Sequence, residues 1–282
     1  MQIEIIRMVQ QFSNPALDAA MECFTVFAEP MVLAAVFCAV YWCLNKRFGR
    51  YLALALGVTL CVNGILKDIF RVERMFNRPG FDKAGIVSHR VETATGYSFP
   101  SGHTQTAATF IGGFFILEKK TAVRVLLAAL VFTIGFSRIY LGVHYPLDVL
   151  GGLIFGAAVA ALIHHITIVR ENRALTVLVC LAAAVLAFLT GVSDNTFTGG
   201  GLLLGVLFGT LFEEKFVRFE IDEKPLLRMA LRYALGMAFV AAAYLLPKAL
   251  LPDTLPVNAA RYAFIAFSIT GLYPYIFTKL RF

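Results

Sequence analysis

Long apolar runs alternate with short polar breaks along almost the whole chain. Nine of these runs predict membrane-spanning helices, at about 30–45, 51–69, 102–117, 122–141, 146–168, 174–192, 201–212, 229–246 and 259–278. Most approach the roughly 20 helical residues that cross a hydrocarbon core. The breaks are Asn45-Lys46-Arg47, the run Glu118, Lys119 and Lys120, the segment ahead of Pro146, Arg170 to Arg173, a Gly-rich turn from Asp194 to Gly201, and a charged loop from Glu213 to Arg228. Ahead of the first run, residues 2–27 read as one or two amphipathic helices lying in the membrane interface, with Asn14-Pro15 as a helix start. The organisation expected is therefore 1–29 as interfacial helices, 30–168 as a core carrying all the chemistry, and 169–282 as additional transmembrane helices.

Composition supports this all-α, polytopic transmembrane bundle of about nine spans. Hydrophobic residues make up 59% of the chain and charged residues 15%, against about 25% charged in soluble domains. The opening Met1–Phe12 stretch mixes Glu4 and Arg7 among apolar residues, so no cleavable signal is read there. Five cysteines, with no C-x-x-C pair or Cys/His cluster, give neither a disulfide framework nor a metal site. The net charge of +7 does not point to nucleic acid, because the basic residues sit in short loops between apolar runs. Under nine spans, five basic groups share one face: Lys46, Arg47 and Arg50; Lys119, Lys120 and Arg124; Arg170 and Arg173; Lys215, Arg218, Lys224 and Arg228; Lys279 and Arg281. That face is expected to be cytoplasmic. On the opposite face, loop 71–100 is also basic, with Arg71, Arg74, Arg78, Lys83 and Arg90, and a phosphate site would explain the exception. Tyr41, Trp42, Tyr140 and Tyr145 near span ends read as an aromatic belt.

Three segments on that opposite face hold unusual polar residues. Lys67 and Arg74 are seven residues apart, two helical turns, and can project from one side. Alone, such a pair is more often two snorkelling cations. Pro100-Ser101-Gly102-His103 stands directly before an apolar helix. Ser101 suits an N-cap, Gly102 lets an anion approach the backbone, and the first N–H groups of a helix bind anions. An ordinary cap with an incidental histidine fits that segment equally well. The third segment is Ser137-Arg138, His144 and Asp148. Asp148 falls in the first turn after Pro146, where it can accept from one ring nitrogen of His144 and leave the other as nucleophile or base. Arg138 can offer a planar fork to phosphate oxygens.

The combined pattern Lys-x6-Arg, Pro-Ser-Gly-His and Ser-Arg-x5-His-x3-Asp resembles the type-2 phosphatidic acid phosphatase superfamily over roughly residues 30–168. The first motif departs from the family, which usually carries Pro after the Arg, where this chain has Met75. A second register, Arg71 with Arg78-Pro79, keeps the Pro and loses the Lys. The resemblance implies a helical phosphatase core. In it Lys67, Arg74, Arg138, Ser101 and the Gly102 backbone bind phosphoryl oxygens. His144 forms a phosphohistidine, Asp148 orients it, and His103 serves the leaving group and then water. It implies no metal and no other cofactor. The partners expected are the lipid bilayer and a phosphorylated lipid, with the site on the non-cytoplasmic face of a bacterial plasma membrane. Two alternatives stand beside this reading. One is a glucose-6-phosphatase-like hydrolase of a soluble sugar phosphate. The other is a non-enzymatic transporter, which the lack of an internal repeat disfavours.

Overall fold

The computed structural model describes residues 1–78, 85–221 and 225–280; Pro79, Lys83, Lys224 and Arg281 of the sequence reading lie outside these. The described residues form helices and no strands. In chain order these are α1 (Gln2–Gln10), α2 (Pro15–Val26), α3 (Pro30–Ala39), α4 (Lys46–Phe70), α5 (Gly102–Leu117), α6 (Thr121–Tyr140), α7 (Pro146–His164), α8 (Arg173–Thr190), α9 (Asp194–Phe212), α10 (Leu226–Leu250), α11 (Leu255–Phe267) and α12 (Tyr273–Leu280). The chain is an integral, multi-span membrane protein. Each of the nine predicted runs coincides with a helix, but only seven are long and apolar enough to span by length and composition. Joining α2 to the helix Pro30–Leu44 across a short break bent by 50° brings the number to eight. The segment that falls short is α5: its 16 residues reach only about 24 Å at 1.5 Å per residue, against a core of about 30 Å.

The chain divides into two compact units, Met1–Leu33 with Ile65–Leu162, and Ala34–Gly64 with Ile163–Phe282. In the first unit, Asn14 caps α2 by accepting from Ala16 N and Leu17 N, as a Pro at N1 invites. Ile6 of α1 is fully buried, in a cluster with Met75, Ile86 and Tyr145. Glycines then set how closely α5 and α7 approach. A Cβ on Gly152 would lie 2.8 Å from Ser101 O, and one on Gly156 would lie 2.4 Å from Gln105 O. Thr109 Oγ1 donates to Gly156 O at 3.1 Å across the same contact.

Two sequence readings are corrected in the second unit. Asp194 to Gly201 is not a turn: α9 begins at Asp194 and runs through it. Its glycines serve packing, since a Cβ on Gly201 or Gly205 would lie 2.0 or 2.2 Å from a carbonyl oxygen of α11, Ala259 O or Ala263 O. Tyr41 and Trp42 are not belt residues either; both are fully buried. Tyr41 Oη donates to Thr270 O at 3.0 Å and Trp42 Nε1 to Ile269 O at 3.1 Å, satisfying the polar ends of rings placed in a core. In the first unit Tyr140 and Tyr145 are likewise buried, not interfacial.

Because the Gly156 contact is with backbone, Gly156→Val should destabilise the protein by about 1–3 kcal/mol and lower its thermal midpoint in detergent. Gly112→Ala, whose Cβ would meet only Ala160 Cβ at 3.7 Å, should leave the midpoint unchanged.

Candidate active site

The three polar segments meet in the first unit. α4 carries Lys67 in its last turn, and the chain after it delivers Arg74 to the same place. Both are buried, and both reach the backbone of the 95–96 turn. Lys67 Nζ donates to Thr95 O at 3.4 Å. Arg74 donates through Nη2 to Thr95 O at 2.8 Å, through Nε to Gly96 O at 2.9 Å, and through Nη1 to Val143 O at 2.9 Å. The other register fares differently: Arg71 and Arg78 are exposed, Arg71 Nε donates to Asp68 O at 2.9 Å, and Arg78 stacks over the Tyr145 ring at 5.5 Å.

α6 ends at Tyr140, and Gly142 in the left-handed region (φ +65°) turns the chain back. A side chain is excluded there twice, by φ and by Val87 O, 2.5 Å from the would-be Cβ. The returning Val143 N and His144 N both donate to Arg138 O, at 3.2 and 3.3 Å, so the histidine is tied to the backbone of the arginine residue. His144 Nδ1 lies 3.3 Å from Asp148 Oδ2, and Nε2 lies 3.3 Å from Arg74 Nη1. Asp148 Oδ2 also accepts from Tyr145 N at 2.8 Å and from Ser98 Oγ. With Asp148 as acceptor-only carboxylate, the favoured tautomer carries its proton on Nδ1 and presents the Nε2 lone pair toward Arg74.

Ser101 caps α5 through its side chain and is fully buried. Its backbone N donates to Asp148 O at 2.9 Å, joining the start of α5 to the start of α7. Gly102 opens the helix, and His103 follows with a buried Nε2 that has no hydrogen-bond partner among the described residues. Arg138 is fully buried. Its Nη1 donates to Thr25 Oγ1 at 2.8 Å, while Nε and Nη2 have no partner among the described residues. Burial, followed by the cations Arg74, Arg138 and Lys67, holds His144 well below the ordinary histidine range. Its imidazole is therefore neutral.

Lys67, Arg74, Ser101, Gly102, His103, Arg138, His144 and Asp148 of the sequence reading thus lie in one cluster around the α5 and α7 N-termini, and Arg71 and Arg78 stay outside it. Ser98, Thr25 and the carbonyls of Thr95 and Gly96 were missed. Only Ser98 carried a sequence signal, three residues ahead of Ser101; backbone carbonyls have none.

A family model described as the PAP2 superfamily matches residues 48–171, and a second, described as the PAP2 superfamily phosphatase transmembrane extension, matches 197–282. The chain belongs to the PAP2 superfamily. The chain is similar to the undecaprenyl-diphosphatase BcrC of Bacillus subtilis, 29% identical over 164 residues, which are 55% of this chain and 78% of that one. It is 34% identical over 117 residues to phosphatidylglycerophosphatase B of the same species, covering 38% of this chain and 52% of that one. It spans about half of this second relative's length. Among solved structures, a transmembrane PAP2-type phosphatidylglycerolphosphate phosphatase from Bacillus subtilis superposes with TM-score 0.50 at 23% identity, over 61% of this chain and 86% of the other. That likeness is one of fold.

The two PAP2 registers separate by mutation. Arg74→Ala should reduce kcat/KM for a phosphate ester by at least about a hundredfold, the scale of losing one charged transition-state donor. Arg71→Ala should leave it within a fewfold, because that side chain is exposed.

Proposed function

We propose that this chain is a lipid phosphate hydrolase that works through a phosphohistidine at His144. The observation carrying the reading is the alignment Arg74–His144–Asp148, with its neutral imidazole, beside the two unpartnered N–H groups of Arg138. Phosphoryl transfer asks mainly for positioning and for positive charge around the equatorial oxygens. Lys67, Arg74 and Arg138, with Ser101 and the Gly102 backbone, supply that charge and those donors.

In the first step the His144 Nε2 lone pair attacks phosphorus and a P–N bond forms. The P–O bond to the lipid breaks, and His103, whose buried ring takes up a proton only as the substrate's negative charge enters beside it, gives that proton to the leaving oxygen. Asp148 accepts the Nδ1 proton of His144 in a hydrogen bond and stabilises the ring's developing positive charge. In the second step His103 takes a proton from water, the water oxygen attacks phosphorus, and the P–N bond breaks. Inorganic phosphate and the starting His144 result. The 3.3 Å contact between His144 Nδ1 and Asp148 is long, as expected of a site that tightens once substrate is bound.

A lipid substrate is favoured by the surface next to this site. A cavity of about 320 Å³ is walled by Phe70, Val72, Phe99 and Leu147 and bordered by Arg78 and Asp148. Phe70 and Leu147 are exposed on the helical surface. Such a wall takes the first carbons of a lipid chain while its phosphate reaches the cations. Undecaprenyl diphosphate and phosphatidylglycerol phosphate, named in the relatives, head the list of substrates to try. With α5 counted as a ninth crossing despite its length, the basic groups on the other loops, read by the charge rule, support a site on the non-cytoplasmic face of a bacterial plasma membrane.

The test is phosphate release by purified protein across lipid and soluble phosphate esters. Lipid substrates should exceed soluble sugar phosphates by at least about tenfold in kcat/KM, a difference of about 1.4 kcal/mol. Equal rates on a sugar phosphate would favour the glucose-6-phosphatase-like alternative. His144→Ala should release no phosphate above background, and a folded variant with normal turnover would remove the nucleophile.

The pH dependence follows from the lowered His144 pKa. The competent neutral ring persists as pH falls through 6.5, the ordinary histidine value, and is lost only well below it. In the kcat/KM profile, the limb owed to His144 should therefore lie well below pH 6.5. A limb at or above 6.5 assigned to this ring counts against the buried, cation-flanked geometry.

A further inference from the structure

We propose that Thr25, from the N-terminal helix α2, is a positioning residue that fixes Arg138 for phosphate binding; the inference rests on the hydrolase reading above. Thr25 lies outside the 48–171 segment matched by the family model, yet it is fully buried against the fully buried Arg138. Its Oγ1 accepts from Arg138 Nη1 at 2.8 Å. The two groups without a partner among the described residues, Nε–H and Nη2–H, form the opposite edge of the guanidinium. That edge is the one that can donate two parallel hydrogen bonds to two oxygens of one phosphoryl group. A guanidinium held at a single nitrogen of one edge keeps its other edge aimed, so the long side chain loses its rotational freedom before substrate arrives.

α1 and α2 are themselves anchored to the last turn of α6 and to the loop that carries Val87 and Arg90. Gln10 Nε2 donates to Tyr140 O and to Val87 O, both at 2.7 Å. Asp18 accepts from Tyr140 Oη, and Glu29 pairs with Arg90. Thr25 is thus held from both ends of its segment, and its hydroxyl position is set independently of substrate. The N-terminal helices are on this account part of the active-site wall.

The experiment compares Thr25→Val, Thr25→Ala and Thr25→Ser in the full-length purified protein, each also in an Arg138→Ala background. Turnover of a lipid phosphate, the inhibition constant and direct binding of vanadate, and the thermal midpoint are measured. Thr25→Val and Thr25→Ala should lower kcat/KM and weaken vanadate binding by about tenfold or more, the scale of one hydrogen bond to a charged group. Thr25→Ser, which keeps the acceptor, should restore both to within about threefold. In the Arg138→Ala background the Thr25 substitutions should cost nothing further, which separates positioning from a loss of packing. If Thr25→Val fails to fold, Thr25→Ala carries the same comparison. Wild-type turnover and vanadate binding in the folded variant, failure of Thr25→Ser to restore, or an undiminished loss without Arg138 each overturns the positioning role. A wild-type protein that neither turns over lipid phosphates nor binds vanadate instead overturns the hydrolase reading, and the positioning role with it.

Discussion

Three cations buried beside one another in an apolar helical bundle are the constraint from which the active unit follows. Lys67, Arg74 and Arg138 are each at most 5% exposed. Moving such groups from water costs several kcal/mol apiece unless partners replace the lost hydration. Carboxylates do only a little of this. Instead the carbonyls of Thr95, Gly96 and Val143 take the N–H groups of Lys67 and Arg74, and Thr25 takes one from Arg138. Neutral acceptors hold the cations in place without cancelling their charge. A carboxylate on each would have stabilised the fold more and left little field for an entering phosphate.

Close helix packing brings those acceptors and cations to a common centre. Gly152 and Gly156 let α7 run against the backbone of α5, which sets the Ser101 N–Asp148 O hydrogen bond at 2.9 Å. The first turns of two helices then open on one spot, one bringing Ser101, Gly102 and His103 and the other bringing Asp148. Larger residues at either glycine would push against backbone rather than against flexible side-chain ends, so helix packing and site geometry are set together.

The sequence shows this arrangement unevenly. Spans are legible because apolar run length is dictated by the bilayer, and the site residues are legible because charge next to an apolar run is costly and therefore rare. α9 was misread because glycine has two uses: Gly199 to Gly201 look like a turn in one dimension and are a packing surface in three. Tyr41 and Trp42 were misplaced because an amphipathic ring at a span end suits an interface or a core with a carbonyl in reach, and only the fold supplies Ile269 O and Thr270 O. Thr95 and Gly96 act through their backbones, and Thr25 is 113 residues from the arginine it touches. No local pattern marks contacts of that kind.

The same geometry bears on how the nucleophile is controlled. As it stands, Arg74 Nη1 faces the His144 Nε2 lone pair at 3.3 Å, the lone pair that the proposed attack requires. Arg74 is also fixed by three carbonyls, so it cannot follow the ring, and the contact stays long. A phosphoryl oxygen is a far stronger acceptor for a guanidinium N–H than a neutral imidazole nitrogen. On the proposed reading, phosphate entering between the two takes the Nη1 proton donor and exposes the lone pair to phosphorus in the same movement. Without phosphate, the arginine leaves the ring neutral and partly masked. One side chain then serves both to bind the substrate and to release the nucleophile toward it, because it is held too rigidly to do one without the other.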